Sequence, residues 1–554
     1  MEEIKELVTS LVQKLFSEHA DVVLTRPEEQ FGDYATNVAL KLAHKTGKKP
    51  REVAAEIVAG LKHDSIAKTE VAGPGFINIT LTDFALQKLV GAKPAKSLKD
   101  KVVVAEYSDP NPFKVLHAGH LYTSVVGDAI ANLLENAGAV THRVNFGGDV
   151  GMHAAKTIWA ILQDLGGENP DKLTEVKEEG RSEWMAGAYI KGTAAYEDDE
   201  AAKAEIVVIN KRIYGLYSEN DHDSPLARIY WTCRQWSYDY FNEFYARIGT
   251  KFEKYYPESE VSELGLKTVK EQLEKGVFQE SDGAVIFKGE DYGLHTRVFI
   301  NSEGIPTYEA KDVGLIMTKN ADYNFDKSVV ITGNEQEQYM QVVLKAVEQF
   351  APELTAATSH LTHGLVKLQG GVKMSSRKGN ILRAVDVLNE ATEANKKASG
   401  KDDQNVVLGA VKYSFLKQRT GGDIIYDPNE SVSLEGNSGP YLQYAHARAK
   451  SILRKAEGAS EPNSQISEWE TGERTLVRKL GMYAEVVEQA TMELMPHLVC
   501  TYLYELAQEF NRFYEKNKVI GDPRERIRLD LVTQYAGTLE NGLGLLGIHA
   551  PESM

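Results

Sequence analysis

Residues 99–146 restrict the fold more tightly than any other stretch of this 554-residue chain. Val102, Val103 and Val104 in "KDKVVVAEYS" make a short apolar run, as a strand covered on both faces of a parallel sheet requires. The period then changes. Leu121, Val125, Ala129, Leu133 and Ala137 recur every four residues and Gly138 offers a C-cap, which predicts a helix from His120. "VTHRVNF" (140–146) reads as a second strand. Strand, glycine-containing turn, helix and strand make a βαβ unit, so the predicted class is α/β with a Rossmann-type parallel sheet.

The turn of that unit is "KVLHAGH" (114–120). Two histidines three apart suggest zinc, but no nearby acid or cysteine completes a shell, and Cys233 and Cys500, the two cysteines, lie far away. No metal site is expected. Core histidines are the bland alternative. The position decides against it, because free N–H groups and a positive dipole end at a helix N-terminus suit phosphate. Gly119 lets an adenine ring approach the backbone, and His117 and His120 can donate to phosphate oxygens. A second signal is "KMSSRKGN" (373–380), where Lys373, Arg377 and Lys378 stand among small residues as a basic loop suited to phosphoryl chemistry.

Such a length implies several domains. Residues 1–95 alternate helical and strand patterns and predict a compact α+β unit. The α/β domain is expected over 96–398, with an insertion at about 160–300. Within it, roughly 160–225 is acidic, poor in periodic signal, and expected to carry no chemistry. From 399 to 554 apolar residues recur at helical spacing, which predicts an all-α bundle. The net charge of −17 leaves only local basic patches for a polyanion. The N-terminus carries acids where a secretory signal needs bases, and no apolar run approaches a membrane span; a cytoplasmic protein without membrane or DNA partners is expected.

"HAGH" and "KMSSRKGN", in this order with αβ pattern between them, resemble the two signatures of class I aminoacyl-tRNA synthetases. "AEYSDPNPFKVLHAGH" is similar to the arginyl members, and the likeness spans nearly the whole chain except 160–225. One position departs: Ser376 replaces the second lysine of the basic motif. Arginyl enzymes with a degraded loop have a lysine three residues before the first motif histidine, and Lys114 stands there.

The resemblance implies an arginine–tRNA ligase. Its ATP, as the magnesium complex, would meet His117, Ala118, Gly119, His120, Asp128, Lys373, Met374 and Ser375. Lys114, His117, His120, Lys373 and Lys378 would act in catalysis, with the division of labour among the cations left open. Glu106, Tyr308 and Asp312 would hold the guanidinium, Asn111 and Gln336 the α-amino group, with His117 also at the arginine site. Gln338 competes with Gln336 for its role. Tyr308 and Asp312 are spaced i, i+4, so on a helix they share a face. "GDVG" (148–151) resembles a family turn, though His153 stands where many members have glutamine. Tyr441, Tyr444, His446 and Arg448 in "GPYLQYAHARAKSILRK" (439–455), and a basic cluster near Lys41–Arg51, would meet tRNA(Arg). The resemblance also implies that tRNA is needed for activation. Two rivals stay open: a small-molecule nucleotidyltransferase and an RNA-binding relative without activity.

Overall fold

The structure, a computed structural model, describes residues 1–369, 382–456 and 468–554. Its central sheet has five parallel strands, β1 (Val102–Glu106), β2 (Val140–Gly147), β3 (Lys254–Pro257), β4 (Lys327–Gly333) and β5 (Thr358–His363), in the order β5-β4-β1-β2-β3. Val103, Val104 and Ala105 are fully buried, as the apolar run required. From β1 the chain works outward through β2 and β3, then returns to build β4 and β5 on the other side. The order reverses between β1 and β4, and a crevice opens there at the strands' carboxyl ends.

Helix α1 (Ala118–Asn136) follows β1 with His117 as its N-cap. It lies so close to the strand end that a Cβ at Gly127 would overlap the Tyr107 ring. Gly138, just past the helix, takes a φ of +94° that suits glycine.

The acidic stretch departs from expectation. It folds into helices α2 (Met152–Leu165), α3 (Arg181–Asp198) and α4 (Glu200–Ser218), which pack with α5 (Pro225–Ile248) around Ile158, Ile161, Met185, Ile206, Ile213, Ile229 and Tyr230. The expected insertion over about 160–300 is also not continuous, because β3 lies within it and pairs with β2. A three-stranded antiparallel sheet spans 279–300.

Helices α6 (Glu258–Glu274) and α7 (Tyr308–Tyr323) cross at glycines. A Cβ at Gly265 would overlap the carbonyl of Ala310, and one at Gly314 that of Val261. This crossing sets the height of α7 above the crevice. Gly265→Ala is expected to cost about 1–3 kcal/mol through overpacking; an unchanged thermal midpoint would contradict that.

The N-terminal unit packs helices Glu2–Phe16, Val38–Thr46 and Pro50–Gly60 on a four-stranded antiparallel sheet. It docks on the C-terminal helices through Arg26 and Glu485 at 2.8 Å and Arg474 and Asp33 at 2.8 Å. Asp33 is fully buried, so these pairs are screened little by salt. The C-terminal part is helical, with α8 (Gly439–Lys455) and the helices Thr471–Leu480, Tyr483–Glu493, His497–Lys516 and Glu525–Leu545. No helix among the described residues is long and apolar enough to cross a membrane.

Candidate active site

A cavity of about 610 Å³ fills the crevice. Strand ends supply Glu106, Phe146, Thr332, Gly333 and His363, and the N-terminus of α1 supplies His117, Ala118, Gly119 and His120. The His117 Nδ1 accepts the Gly119 N–H at 3.1 Å, and the His120 Nδ1 accepts the His117 N–H at 3.1 Å. With Nδ1 occupied as acceptor on both rings, each neutral imidazole carries its proton on Nε2. The rings stack at 3.7 Å between centroids. Burial, then the nearby Lys114 and His363, pushes His117 down to about 4, and burial likewise lowers His120. Two neutral Nε2–H donors beside a helix N-terminus form a phosphate-binding edge.

The link from β1 to this turn is strained. Ser108, Asp109 and Phe113 adopt φ of 77°, 49° and 68°, where non-glycine residues are rare. Ties from neighbouring elements hold them: Phe146 N–H donates to Asp109 Oδ1 at 2.9 Å, and Phe113 N–H donates to Ser237 Oγ of α5 at 3.0 Å.

Carboxylates crowd the other end. Glu106 at the tip of β1 and Asp312 on α7 line the cavity with Asn111, Tyr308 and Gln336, while Gln338 does not line it. Glu106 pairs with Lys319, and Glu258 with Lys311 at 2.7 Å. Among the described residues no cation pairs with Asp109 or Asp312; Asp312 accepts a hydrogen bond from the Tyr339 hydroxyl. Burial and then the Glu106 and Glu258 charges push Asp312 up to about 7, against the lowering effects of Tyr339 and Lys319. Asp109 is raised well above the usual range by burial and by Glu106. Fully ionised, these carboxylates would outnumber the lysines paired with them, so Asp109 and Asp312 hold protons that a cationic ligand would displace.

Asn111 Oδ1 accepts the Gly148 N–H at 2.7 Å, and a Cβ on Gly148 would crowd that oxygen at 3.0 Å. His153 Nε2 lies 2.6 Å from the Gly148 carbonyl, so it braces the same turn. Asp149 of that turn is fully buried and accepts from Tyr217 at 2.6 Å, Ser259 Oγ at 2.7 Å and Arg234 at 3.0 Å, tying α4, α5 and α6 together.

Other expected residues lie elsewhere. Asp128 is a correction: it faces a second cavity of about 450 Å³ with Arg143 and Lys412, and its carboxylate is held by Arg143 at 2.5 Å. It sits eight residues along α1 from His120, a rise of about 12 Å. His446 is also corrected. It is buried, with Nδ1 at 2.8 Å from the Pro551 carbonyl, so it faces the chain's own C-terminal segment rather than a partner. Tyr444 and Arg448 are exposed on α8, and Arg448 lies over the Tyr514 ring at 4.9 Å. Tyr441 is half-buried, its hydroxyl accepting from Asn511 at 2.9 Å. Lys114 lies beside the cavity with its ammonium 5.1 Å from the Tyr189 ring centroid. Lys373, Met374, Ser375, Arg377 and Lys378 lie outside the described residues.

Sequence reasoning missed Asp109, Glu258, Lys311, Lys319 and Tyr339. Lys319 had a signal, since it stands seven residues after Asp312 on one helix and so near the same face. Glu258 and Tyr339 reach the site only through tertiary packing.

A phosphate-binding edge and a carboxylate trap for a cation, opening on one cavity, meet the two demands of amino-acid activation; on this sheet topology the class so defined is the class I aminoacyl-tRNA synthetases. A family model for the class I (R) tRNA synthetase catalytic domain matches residues 81–427, one for the arginyl-tRNA synthetase N-terminal domain matches 2–81, and one for the DALR anticodon-binding domain matches 442–554. The arginine–tRNA ligase of Bacteroides fragilis strain YCH46 is 29% identical over 609 aligned residues, covering 99% of each chain. That of Clostridium perfringens is 30% identical, covering 98% of this chain and 99% of its own. The solved arginyl-tRNA synthetase of Thermus thermophilus is 26% identical and superposes with a TM-score of 0.82 over 100% of both chains. The chain belongs to the arginine–tRNA ligase family.

Proposed function

We propose that this chain activates L-arginine with ATP to arginyl-adenylate and transfers the arginyl group to the 3′ end of tRNA(Arg). The observation that carries the reading is the meeting of Glu106 and Asp312, from separate elements, in one cavity with His117 and His120. The two carboxylates receive the planar guanidinium, with Tyr308 against it, and the fork geometry of arginine answers two acceptors where lysine offers a point charge. Asn111 and Gln336 hold the α-amino group. The arginine carboxylate attacks the α-phosphate of ATP, whose phosphates take the His117 and His120 Nε2–H donors and the Ala118 and Gly119 turn. Lys114, Lys373 and Lys378 stabilise charge on the departing pyrophosphate, with Met374 and Ser375 beside the nucleotide. The residues flanking that loop support this, because Val366 and Leu382 line the cavity and Ala118 N–H donates to the Leu382 carbonyl at 2.8 Å.

Magnesium enters as part of the ATP complex. Tyr441, Tyr444 and Arg448 share a face of α8 at i, i+3, i+7 spacing and offer stacking and charge to the tRNA. The three units, bounded near 1–95, 96–398 and 399–554, divide the work into tRNA corner, chemistry and anticodon, in the cytoplasm.

The charge states set a pH profile. Asp312 must be ionised to hold a guanidinium, so kcat/KM for arginine is expected to rise as pH passes about 7. Burial lowers Lys114 to about 8, so kcat/KM for ATP falls above that pH. His117 stays neutral throughout, its value being about 4. Pyrophosphate exchange from pH 5.5 to 9 tests this; an arginine profile flat between 6 and 8 would contradict it. The function itself is tested by charging total tRNA with each amino acid in turn: arginine alone should be accepted, and charging with lysine, or none, would overturn the proposal. Activation is expected to need tRNA, so pyrophosphate exchange at full rate without it would refute that part.

A further inference from the structure

The geometry points to Tyr189, in the helical insertion, as the residue that positions Lys114 for the activation step. This rests on the reading above that Lys114 meets the departing pyrophosphate. Three features fix the pair. First, α3 approaches α2 so closely at Gly192 that a Cβ there would overlap the Lys156 carbonyl. Tyr189, three residues earlier on the same face of α3, is thereby set over the loop before α1. Its ring centroid is 5.1 Å from the Lys114 ammonium, within reach of a cation–π attraction.

Second, the residue before Lys114 is locked. Phe113 holds a φ of 68°, fully buried, with its N–H on Ser237 and its ring 5.4 Å from that of Tyr230, both residues of α5. The backbone aims Lys114 and the tyrosine ring receives its end. Third, the same helix touches the other side of the phosphate edge. Glu183 of α3 lies 3.6 Å from Arg383, and Arg383 forms a backbone bridge to His117. One helix therefore borders both the lysine before the motif and the chain that leaves the basic loop. A lysine has four rotatable side-chain bonds, and an aromatic wall that restricts them keeps the charge where the leaving group forms.

The test uses the full-length protein with tRNA, arginine and ATP, reading pyrophosphate exchange. Tyr189→Leu and Tyr189→Met are expected to lower kcat about five- to tenfold, with KM for arginine within about twofold and the melting temperature unchanged. Tyr189→Phe keeps the ring face and should keep kcat within about twofold. Lys114→Ala should be slower still, and adding Tyr189→Leu to it should cost nothing more, because residues acting as a unit are non-additive. Parental kcat in both Leu and Met variants beside an impaired Lys114→Ala would overturn the role of Tyr189 alone, as would a Phe variant as slow as Leu. Parental kcat in Lys114→Ala would instead overturn the reading of Lys114 on which this depends.

Discussion

Asp312→Asn should cut kcat/KM for arginine by roughly 10²–10³-fold, the scale of removing one partner from a buried charge pair, while making the unliganded protein more stable. Both effects share one cause. Burial and the Glu106 and Glu258 charges raise Asp312 from 3.8 to about 7, so the folded state binds a proton that the unfolded chain gives up between those values. Asp312 therefore disfavours the fold increasingly as pH rises from about 4 to about 7, and the cost is fully present above that. It is on the order of 4 kcal/mol. Asparagine keeps the shape and can still accept from Tyr339, yet carries no charge. The variant should melt higher than the parent at pH 8, with the gap closing toward pH 4. Arginine binding by calorimetry at pH 8 should be lost in step. A variant that melts no higher, or binds arginine normally, would contradict the account of a site strained to receive a cation.

His120→Ala separates the other half of the cavity. It removes an Nε2–H donor from the phosphate edge and the acceptor that holds the His117 N–H at 3.1 Å. Loss of one donor aimed at developing charge costs about 10²–10³ in kcat, and loss of the reciprocal cap about 1 kcal/mol of stability. Arginine affinity should stay within about twofold, since the carboxylates are untouched. Stopped-flow or exchange kinetics paired with arginine calorimetry would check this. Equal losses in activation and arginine binding would show that the two halves are not separable.

The pattern of residues made part of this legible. Period and burial follow from local sequence, so the β1 run, the turn and α1 were readable, and Tyr308 with Asp312 shared a helical face as spacing demanded. The insertion was not. Helix α3 packs through Ala188 and Gly192, where smallness rather than apolar bulk makes the contact, and small residues leave little periodic signal. Asp128 came only with the resemblance, and eight residues of helix carry it about 12 Å from His120 to the cavity it shares with Arg143 and Lys412. His446 fell on the buried side of α8, two residues from exposed Tyr444, which a helical turn sets on nearly opposite faces. Glu258 and Tyr339 had no local signature, since the close crossing of α6 on α7 and the packing of the helix after β4 bring them in.

The central claim is that two carboxylates on separate elements grip one flat cation beside the nucleotide phosphates. A crystal of the protein with arginine bound at pH 8 tests it most directly. The guanidinium should lie with nitrogens about 2.7–2.9 Å from oxygens of both Glu106 and Asp312, its α-amino group toward Asn111 and Gln336. Arginine bound with its guanidinium away from both carboxylates, or those carboxylates turned out of the cavity, would contradict the account.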